Sequence, residues 1–156
     1  MTAFDASDAA AHPFTAFNFE VDIKVDSVSD RVCMATFSEC DGLEMSMEPK
    51  TIREGGRNAG PVHMVGPVGF GELTLKRGMT ANVDLWRWFE AVSAPGGGGL
   101  RATADIVVMA ADRTVQMQFR LEGLLPVKIK APALSAKDGQ LAIEEMQVAY
   151  ESLRLL

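Results

Sequence analysis

The sequence Gly71-Glu-Leu-Thr-Leu-Lys-Arg-Gly-Met-Thr80, followed by Ala81-Asn-Val-Asp-Leu-Trp-Arg-Trp-Phe-Glu-Ala-Val92, combines two different hydrophobic periods. In its first half, Leu73 and Leu75 alternate with polar residues, which is the period of two of a half-buried strand. From Ala81 the apolar spacing becomes that of a helix. The expected stripe on this helix consists of Leu85, Trp86, Phe89 and Val92, with Trp88 beside it.

The boundaries of the predicted helix follow from its flanking residues. Gly78 interrupts the strand, and the side chain of Thr80 or Asn82 is suited to cap the helix that follows. The helix is expected to end before Pro95 and the four glycines Gly96–Gly99. It is the only convincing helix in the sequence, so we expect it to cover the open face of a sheet.

Most of the remaining sequence alternates with the period of a strand. The clearest example is Phe17–Asp26, in which one face is apolar and the other polar. Further strands are predicted over Arg31–Glu39, Leu43–Glu48, Leu100–Met109, Val115–Glu122, Val127–Ala131 and Leu141–Leu153. The alternation slips at Glu144–Glu145, which indicates a bulge. Without β-α-β alternation, the fold class is mainly β: an antiparallel sandwich or barrel with one flanking helix.

Residues 50–70 show no period and contain several glycine–proline turns. A loop of about 20 residues is uncommon in a compact domain and is usually functional or disordered. This loop carries apolar residues, which disordered linkers rarely do. They are Val62, Met64, Val65, Val68 and Phe70. We therefore predict a long structured loop that packs on the protein's own surface or on a neighbouring subunit.

Composition limits the classes of protein that this chain can represent. Its 156 residues fit one domain, predicted over 14–156 after a flexible N-terminal arm over 1–13. The net charge of -6 argues against a general nucleic-acid-binding surface. No apolar run reaches the roughly 18 residues of a membrane span. The N-terminus lacks the pattern of a signal peptide, so synthesis in the cytoplasm is expected.

The residues that most often carry chemistry do not form a recognisable site. His12 and His63 have no partner at metal-ligand spacing. Cys33 and Cys40 would lie about 23 Å apart on one strand, too far for a disulfide. Glu144–Glu145 are read either as paired acids or as a strand bulge. We predict no catalytic residue, no cofactor and no metal, and therefore a protein that is not an enzyme.

Several segments, taken together and in order, resemble the tail tube proteins of contractile phages and of phage-like contractile injection systems. The segments are Phe17–Val25, Phe37–Glu44, Arg53–Asn58, Leu73–Thr80 and the pair Trp86 and Trp88. The resemblance extends from about residue 14 to the end of the chain. It is the combination of Gly-Leu-Glu, Arg-Glu-Gly-Gly and Leu-Lys-Arg-Gly that makes it specific, whereas residues 1–13 and Gly96–Gly99 depart from the family.

The resemblance implies a structural protein that forms the inner tube of a contractile injection system. Hexameric rings would stack into a hollow conduit, with the sheets of the subunits joining into one ring-shaped barrel. The implied partners are further copies of the chain, the sheath protein, the baseplate or hub, tube-terminating proteins and cargo effector proteins in the lumen. No specific recognition of nucleic acid is implied. Assembly would occur in the bacterial cytoplasm, and the tail-like particle would be released from the cell.

The resemblance also suggests roles for individual residues. In that family the long loop reaches neighbouring subunits and rings, so we expect subunit contacts here from Arg53, Glu54, Arg57, Val62, Val65 and Phe70. The polar face of the first strand is our hypothesis for the channel wall. Its residues are Asn18, Glu20, Asp22 and Lys24.

Two alternatives remain open from the sequence. The first is a contractile phage tail tube that conducts DNA rather than proteins. The second is a monomeric β-barrel that binds a ligand between its helix and its sheet, with residues 50–70 as a lid over the pocket. Self-association through the loop distinguishes a tube subunit from the binding module.

Overall fold

The computed structural model describes residues 18–25, 31–56 except 36, 59–80, 82–137, 139 and 141–156, with the backbone alone over 31–35. The predicted arm over 1–13 and Arg57 lie outside the described residues. The strands are β1 (Asn18–Val25), β2 (Arg31–Ala35), β3 (Glu39–Asp41), β4 (Met45–Met47), β5 (Lys50–Ile52), β6 (Val62–Met64), β7 (Val68–Phe70), β8 (Glu72–Gly78), β9 (Ala102–Met109), β10 (Val115–Lys130), β11 (Ile143–Ala149) and β12 (Ser152–Leu155). The helix α1 spans Asp84–Ser93, and a 3₁₀ turn covers Gly97–Gly99.

Eight of these strands form one antiparallel sheet in the order β2-β1-β9-β10-β11-β8-β3, with β12 also paired to β10. Strand β10 joins the two halves of this sheet. Its first part pairs with β9 and β12, and its second part pairs with β11. Gly123, at a φ of 69°, lies where the register with β9 shifts. The sequence predicted two separate strands here, but a glycine irregularity lets one strand continue through both.

A single hydrophobic core contains residues from both halves of the sheet. Val21 and Ile23 of β1 and Leu73 and Leu75 of β8 are buried, as their alternation predicted. The predicted mainly β antiparallel fold with one flanking helix is confirmed. Among the described strands, β2 and β3 end the sheet without pairing to each other, so the single subunit does not close into a barrel.

Helix α1 begins at Asp84, and its N-cap is Val83, which makes no side-chain capping hydrogen bond. The prediction of a cap at Thr80 or Asn82 was therefore wrong. The Oδ1 atom of Asn82 instead accepts from the backbone N–H of Asp84 at 3.1 Å, and Thr80 Oγ1 accepts from Asn82 N–H at 3.2 Å. These bonds order the turn before the helix. The helix ends at Ser93, before Pro95 as predicted.

The buried face of α1 is centred on Leu85 and Trp88, which are its two buried residues. Trp86 was predicted in the stripe and Trp88 beside it, but Trp86 is only half-buried. Leu85, Trp88, Phe89 and Val92 follow the spacing of one helical face, and the helix packs against β10 and β2. Within the described residues, no helix has the length and apolarity needed to cross a membrane.

The single strand predicted over Arg31–Glu39 is two strands. Strand β2 ends at Ala35, β3 begins at Glu39, and the two lie at opposite ends of the strand order. Phe37 lies between them and is buried in the core. The alternation in the sequence continues from Arg31 to Glu39, so it does not reveal that different strands lie on the two sides of Phe37.

The described residues of 45–70, which exclude 57 and 58, form a two-tiered antiparallel hairpin, referred to below as the long hairpin. Strands β4 and β7 make the inner tier, and β5 and β6 make the outer tier. The prediction that residues 50–70 form a loop without regular structure was therefore wrong. Each of these strands has only three residues, which is too few for a hydrophobic period to show in the sequence. A Cβ at Gly66 would lie 1.6 Å from the carbonyl oxygen of Glu48, so only glycine allows the two connections between the tiers to approach here.

The bulge predicted at Glu144–Glu145 is absent. Strand β11 pairs with β8 in continuous register from Ile143 to Ala149. The side chains that face the core are Glu144, Met146 and Val148. Glu144 occupies a core-facing position where an apolar residue is expected. The apolar alternation in the sequence therefore changes at this point, in a strand that is in fact continuous.

Candidate functional site

The long hairpin exposes many large apolar side chains. Met45 is 62% exposed and Val65 is 77% exposed. The other exposed apolar residues of this hairpin are Met47, Ile52, Met64 and Val68. Several exposed large apolar side chains on one hairpin of a folded protein often mark a surface that binds another molecule.

The strand register places the apolar residues of the inner tier on one face. Met45 lies opposite Phe70, and Met47 lies opposite Val68. Ser46 and Gly69, which alternate with them, occupy the other face. We call the first of these surfaces the apolar face of the inner tier. In the outer tier the same alternation pairs Ile52 with Val62 and Lys50 with Met64.

The base of the long hairpin is anchored to the sheet by Tyr150. Its hydroxyl lies 2.7 Å from the carbonyl oxygen of Gly42, to which it donates, and accepts from the backbone N–H of Glu44 at 3.1 Å. Its ring packs against Phe70 with 5.7 Å between the centroids. Gly42 has a φ of +100°, and a Cβ there would lie 2.0 Å from the carbonyl oxygen of Glu72. The hairpin therefore leaves the sheet in a defined direction.

Replacing Tyr150 with phenylalanine is expected to lower the free energy of unfolding by about 1–3 kcal/mol, because partly buried backbone groups of Gly42 and Glu44 lose a partner. Urea denaturation measures this difference. Thr51→Val is the control, since it removes only an exposed contact to His63 and is expected to cost less than about 0.5 kcal/mol. Equal stability of the two variants would show that the anchor contributes nothing.

The structure separates the predicted subunit contacts along the long hairpin. Arg53 and Glu54 are exposed at its tip, and Val65 is exposed in its outer part. Val62 is half-buried, whereas Phe70 lies at the base and packs against the core. The exposed Met45, Met47 and Met64 were not among the predicted subunit contacts. The alternation of Met45 and Met47 with Ser46 was the feature of the sequence that could have indicated an apolar face here.

The predicted channel residues lie on one face of β1, opposite the buried Val21 and Ile23. The register extends this surface across three more strands, with Asp22, Asp105, Arg120 and Arg154 in one row. We call this surface the polar face. Its described charged residues are Glu20, Asp22, Lys24, Asp105, Arg120, Glu122 and Arg154.

Ion pairs within the subunit compensate the cations of the polar face. Arg120 donates two hydrogen bonds to the carboxylate of Asp105, at 2.8 and 3.1 Å, and this contact raises the pKa of Arg120. Arg154 donates to Glu122 at 2.6 Å, and Lys24 Nζ lies 3.5 Å from an Asp22 oxygen. The surface thus presents paired charges rather than isolated cations.

Arg77 and Glu144 form a buried ion pair between β8 and β11. The Nε atom of Arg77 donates to Oε1 of Glu144, and the indole N–H of Trp86 donates to Oε2 at 3.0 Å. The guanidinium also lies over the ring of Phe37, 5.8 Å from its centroid. Glu144 is therefore part of neither a bulge nor a pair of acids. It connects α1 to the sheet.

Cys40 is a free thiol, and its burial, with a smaller effect of neighbouring Asp41, raises its pKa from 9.0 to about 12. At pH 8 the folded chain should contain about a thousandfold less thiolate than the unfolded chain. We expect iodoacetamide to alkylate Cys40 at least about a hundredfold more slowly in the native state than in urea, measured by mass spectrometry in a Cys33→Ser background. Similar rates in both states would contradict this.

The raised pKa of the Cys40 thiol also makes the stability of the fold depend on pH, in a defined direction. Between pH 9 and about 12 the folded chain keeps the thiol proton that the unfolded chain loses. The contribution of Cys40 to stability is therefore complete below pH 9 and declines as the pH rises towards 12.

A groove of about 820 Å³ lies elsewhere on the surface, between the 131–136 segment and the start of β11. Its lining includes Lys76, Lys130 and Glu145 but no residue of the long hairpin or of α1. This placement does not match a ligand site between helix and sheet under a lid of residues 50–70. Within the described part of the chain, no three His, Cys, Asp or Glu side chains are grouped as metal ligands.

Solved structures with a similar fold include a chain of an extracellular contractile injection system. A chain of the anti-feeding prophage baseplate superimposes with a TM-score of 0.78 at 22% identity, covering 94% of this chain and 97% of that one. A chain of the sheath–tube complex of an extracellular contractile injection system in its extended state gives 0.77 at 18% identity, covering 100% and 99%. An Hcp protein gives 0.53 at 10% identity, covering 86% and 90%.

The amino-acid sequence was also compared with curated proteins and with protein families. No curated protein matches the chain significantly. A family described as the T4-like virus tail tube protein gp19 matches residues 15–154, which is most of the chain and includes the long hairpin, the helix and the polar face. The chain therefore belongs to the T4-like virus tail tube protein gp19 family, whose members are structural tube proteins.

Proposed function

We propose that this tail tube protein forms the inner tube of a contractile injection system, as hexameric rings stacked into a hollow conduit. The observation that carries the proposal is the apolar face of the inner tier, where the described part of the subunit leaves Met45, Met47 and Val68 exposed. An apolar surface on an anchored hairpin is stabilised when it is buried between copies. Membership of a tube-forming family supports a second copy of the chain as its partner.

The proposed contacts between copies lie along the long hairpin. They involve Arg53 and Glu54 at its tip, Val62 and Val65 in its outer part and Phe70 at its base. Arg57, which lies outside the described residues, is proposed as a further contact. The exposed tip is suited to reach a neighbouring subunit or ring because Tyr150 holds the base against the sheet. Paired edges of adjacent sheets would close the ring-shaped barrel and remove exposed strand edges.

The polar face is the proposed wall of the channel, with Asn18, Glu20, Asp22 and Lys24 facing the lumen. Its cations are engaged by carboxylates of the same subunit, and its four acids outnumber its three described cations. A surface with compensated charges does not hold a polyanion tightly, because few phosphate charges can be neutralised there. The proposed role is passive conduction of cargo effector proteins, without chemistry and without specific recognition of nucleic acid.

The proposed partners are a sheath protein, a baseplate or hub and a tube-terminating protein. The similar structures come from a sheath–tube complex, a baseplate and a tube-terminating cap, which supports this set. We place synthesis and assembly in the bacterial cytoplasm, followed by release in a tail-like particle. Residues 14–156 are proposed to fold as one domain, with 1–13 as an arm.

A tube that conducts DNA in a phage tail is the second candidate, and the viral description of the family favours it. Purified particles distinguish the two functions. Nuclease-resistant DNA inside tube-containing particles would support the phage tail, whereas effector polypeptides in particles without DNA would support the injection system.

Negative-stain electron microscopy of the purified protein, alone and co-expressed with the products of neighbouring genes, tests the proposed tube. Rings or hollow rods are the expected result. Monodisperse particles with the mass of one chain, even in the presence of those partners, would contradict the proposal.

A further inference from the structure

We propose that Met45, Met47 and Met64 are an oxidation site that controls whether a free subunit enters a tube. This inference rests on the proposed contact between the long hairpin and a second copy of the chain. According to this inference, oxidants can weaken that contact, which would not be the case if the surface carried only aliphatic side chains.

The three methionines are accessible, and all three belong to strands of the long hairpin. Met45 is 62% exposed, Met64 is 51% exposed and Met47 is 47% exposed. The register places Met45 and Met47 on the apolar face of the inner tier, whereas Met64 lies opposite Lys50 in the outer tier. In contrast, Met146 is fully buried in the core. An oxidant in solution therefore reaches the hairpin sulfurs without unfolding the subunit.

The reaction needs only a two-electron oxidant such as hydrogen peroxide or hypochlorous acid. With peroxide, the thioether sulfur attacks one peroxide oxygen, an S–O bond forms, the O–O bond breaks and the second oxygen leaves as water. The sulfur is oxidised by two electrons and the peroxide is reduced by two. A thiol-dependent methionine sulfoxide reductase reverses the change, and the sulfoxide oxygen then leaves as water.

The product changes the surface that the second copy must cover. A sulfoxide is polar, whereas the thioether is apolar and adapts to irregular surfaces. Covering the sulfoxide oxygen against an apolar partner removes its hydrogen bonds to water without replacing them. Oxidised free subunits therefore associate into tubes less readily than unoxidised ones. In an assembled tube the same sulfurs are covered, so assembly protects them.

The first test follows oxidation of the full-length protein by hydrogen peroxide, using peptide mass spectrometry. In free subunits, Met45, Met47 and Met64 are expected to oxidise at least tenfold faster than Met146. In preassembled tubes their rates are expected to fall at least tenfold. Equal rates for the hairpin methionines and Met146 in free subunits would overturn the assignment, and unchanged rates in tubes would overturn the protection.

The second test measures assembly after peroxide treatment of free subunits. Treated wild-type protein is expected to form at least tenfold less tube, and the variant Met45→Leu/Met47→Leu/Met64→Leu is expected to assemble as it does untreated. Met79→Leu, which removes an exposed methionine outside the hairpin, should stay as sensitive as wild type. Full assembly of oxidised wild type, or equal loss in the triple variant, would overturn the proposal.

The two tests separate this inference from the proposed function. If untreated protein forms no tubes under any condition, the proposed tube role fails. The difference in oxidation rate between the hairpin methionines and Met146 in free subunits still decides whether the oxidation site exists.

Discussion

Replacing Met47 and Val68 together with glutamate is expected to raise the protein concentration needed for tube assembly by at least about a hundredfold. Both side chains are exposed in the free subunit but lie directly opposite each other, so the two glutamates are expected to cost the fold up to about 1 kcal/mol and the variant should still fold. In the proposed contact each carboxylate would be buried without a partner, at a cost of several kcal/mol. Since about 1.4 kcal/mol corresponds to a tenfold change in affinity, the effect on assembly is large.

Sedimentation and electron microscopy over a range of protein concentrations measure this change, and urea denaturation checks the fold. Ser46→Glu is the matched control because Ser46 belongs to the same tier but lies on its other face. The control is expected to assemble nearly as well as wild type. Tubes formed by the double variant at the wild-type concentration would exclude the apolar face of the inner tier from the contact.

Removal of residues 53–66 tests the outer part of the long hairpin in the same assay. The deletion takes away the tip and β6, but it keeps β4, β7 and the anchor at Tyr150. We expect the shortened chain to fold and not to form tubes. Continued tube formation would show that the outer tier is not needed between copies.

Glu144→Ala is expected to lower the free energy of unfolding by about 3–5 kcal/mol. The substitution leaves the guanidinium of Arg77, which is 6% exposed, without its carboxylate partner and removes the acceptor of the Trp86 indole N–H. A typical domain has only about 5–15 kcal/mol of stability in total. This one change is therefore expected to remove a large fraction of the total stability.

Urea denaturation of three variants distinguishes the buried pair from an ordinary surface pair. Lys76→Ala removes an exposed ion pair with Glu39, at 3.3 Å, and is expected to cost less than about 1 kcal/mol. The double variant Arg77→Met/Glu144→Leu removes both buried charges and is expected to recover most of the lost stability. A cost for Glu144→Ala as small as that for Lys76→Ala would show that the buried pair is not essential to the fold.

The buried pair also explains part of the family resemblance. Arg77 belongs to the Leu-Lys-Arg-Gly segment, and Trp86 is one of the two tryptophans that support the same resemblance. Both contact Glu144, which joins the helix to β8 and β11. These family features thus stabilise the subunit itself. The exposed long hairpin and the polar face are left to serve assembly and conduction.

The sequence by itself determined the class of fold and the strands that span the core. The alternation around Val21 and Ile23 in β1 and around Leu73 and Leu75 in β8 is local, because successive side chains of a strand face opposite sides. The end of the helix before Pro95 was equally local, because proline disrupts helical hydrogen bonding. The resemblance to tail tube proteins depended on short segments in order, and the family comparison confirmed it.

Only the tertiary structure decided which distant residues meet. The row of Asp22, Asp105 and Arg120 depends on strand register, and the burial of Glu144 depends on Arg77 from another strand. The short strands of the long hairpin became recognisable only through their pairing. Periodicity reports which side of an element is apolar. Partners across a sheet are set by backbone hydrogen bonds between segments far apart in the chain, which a local pattern does not contain.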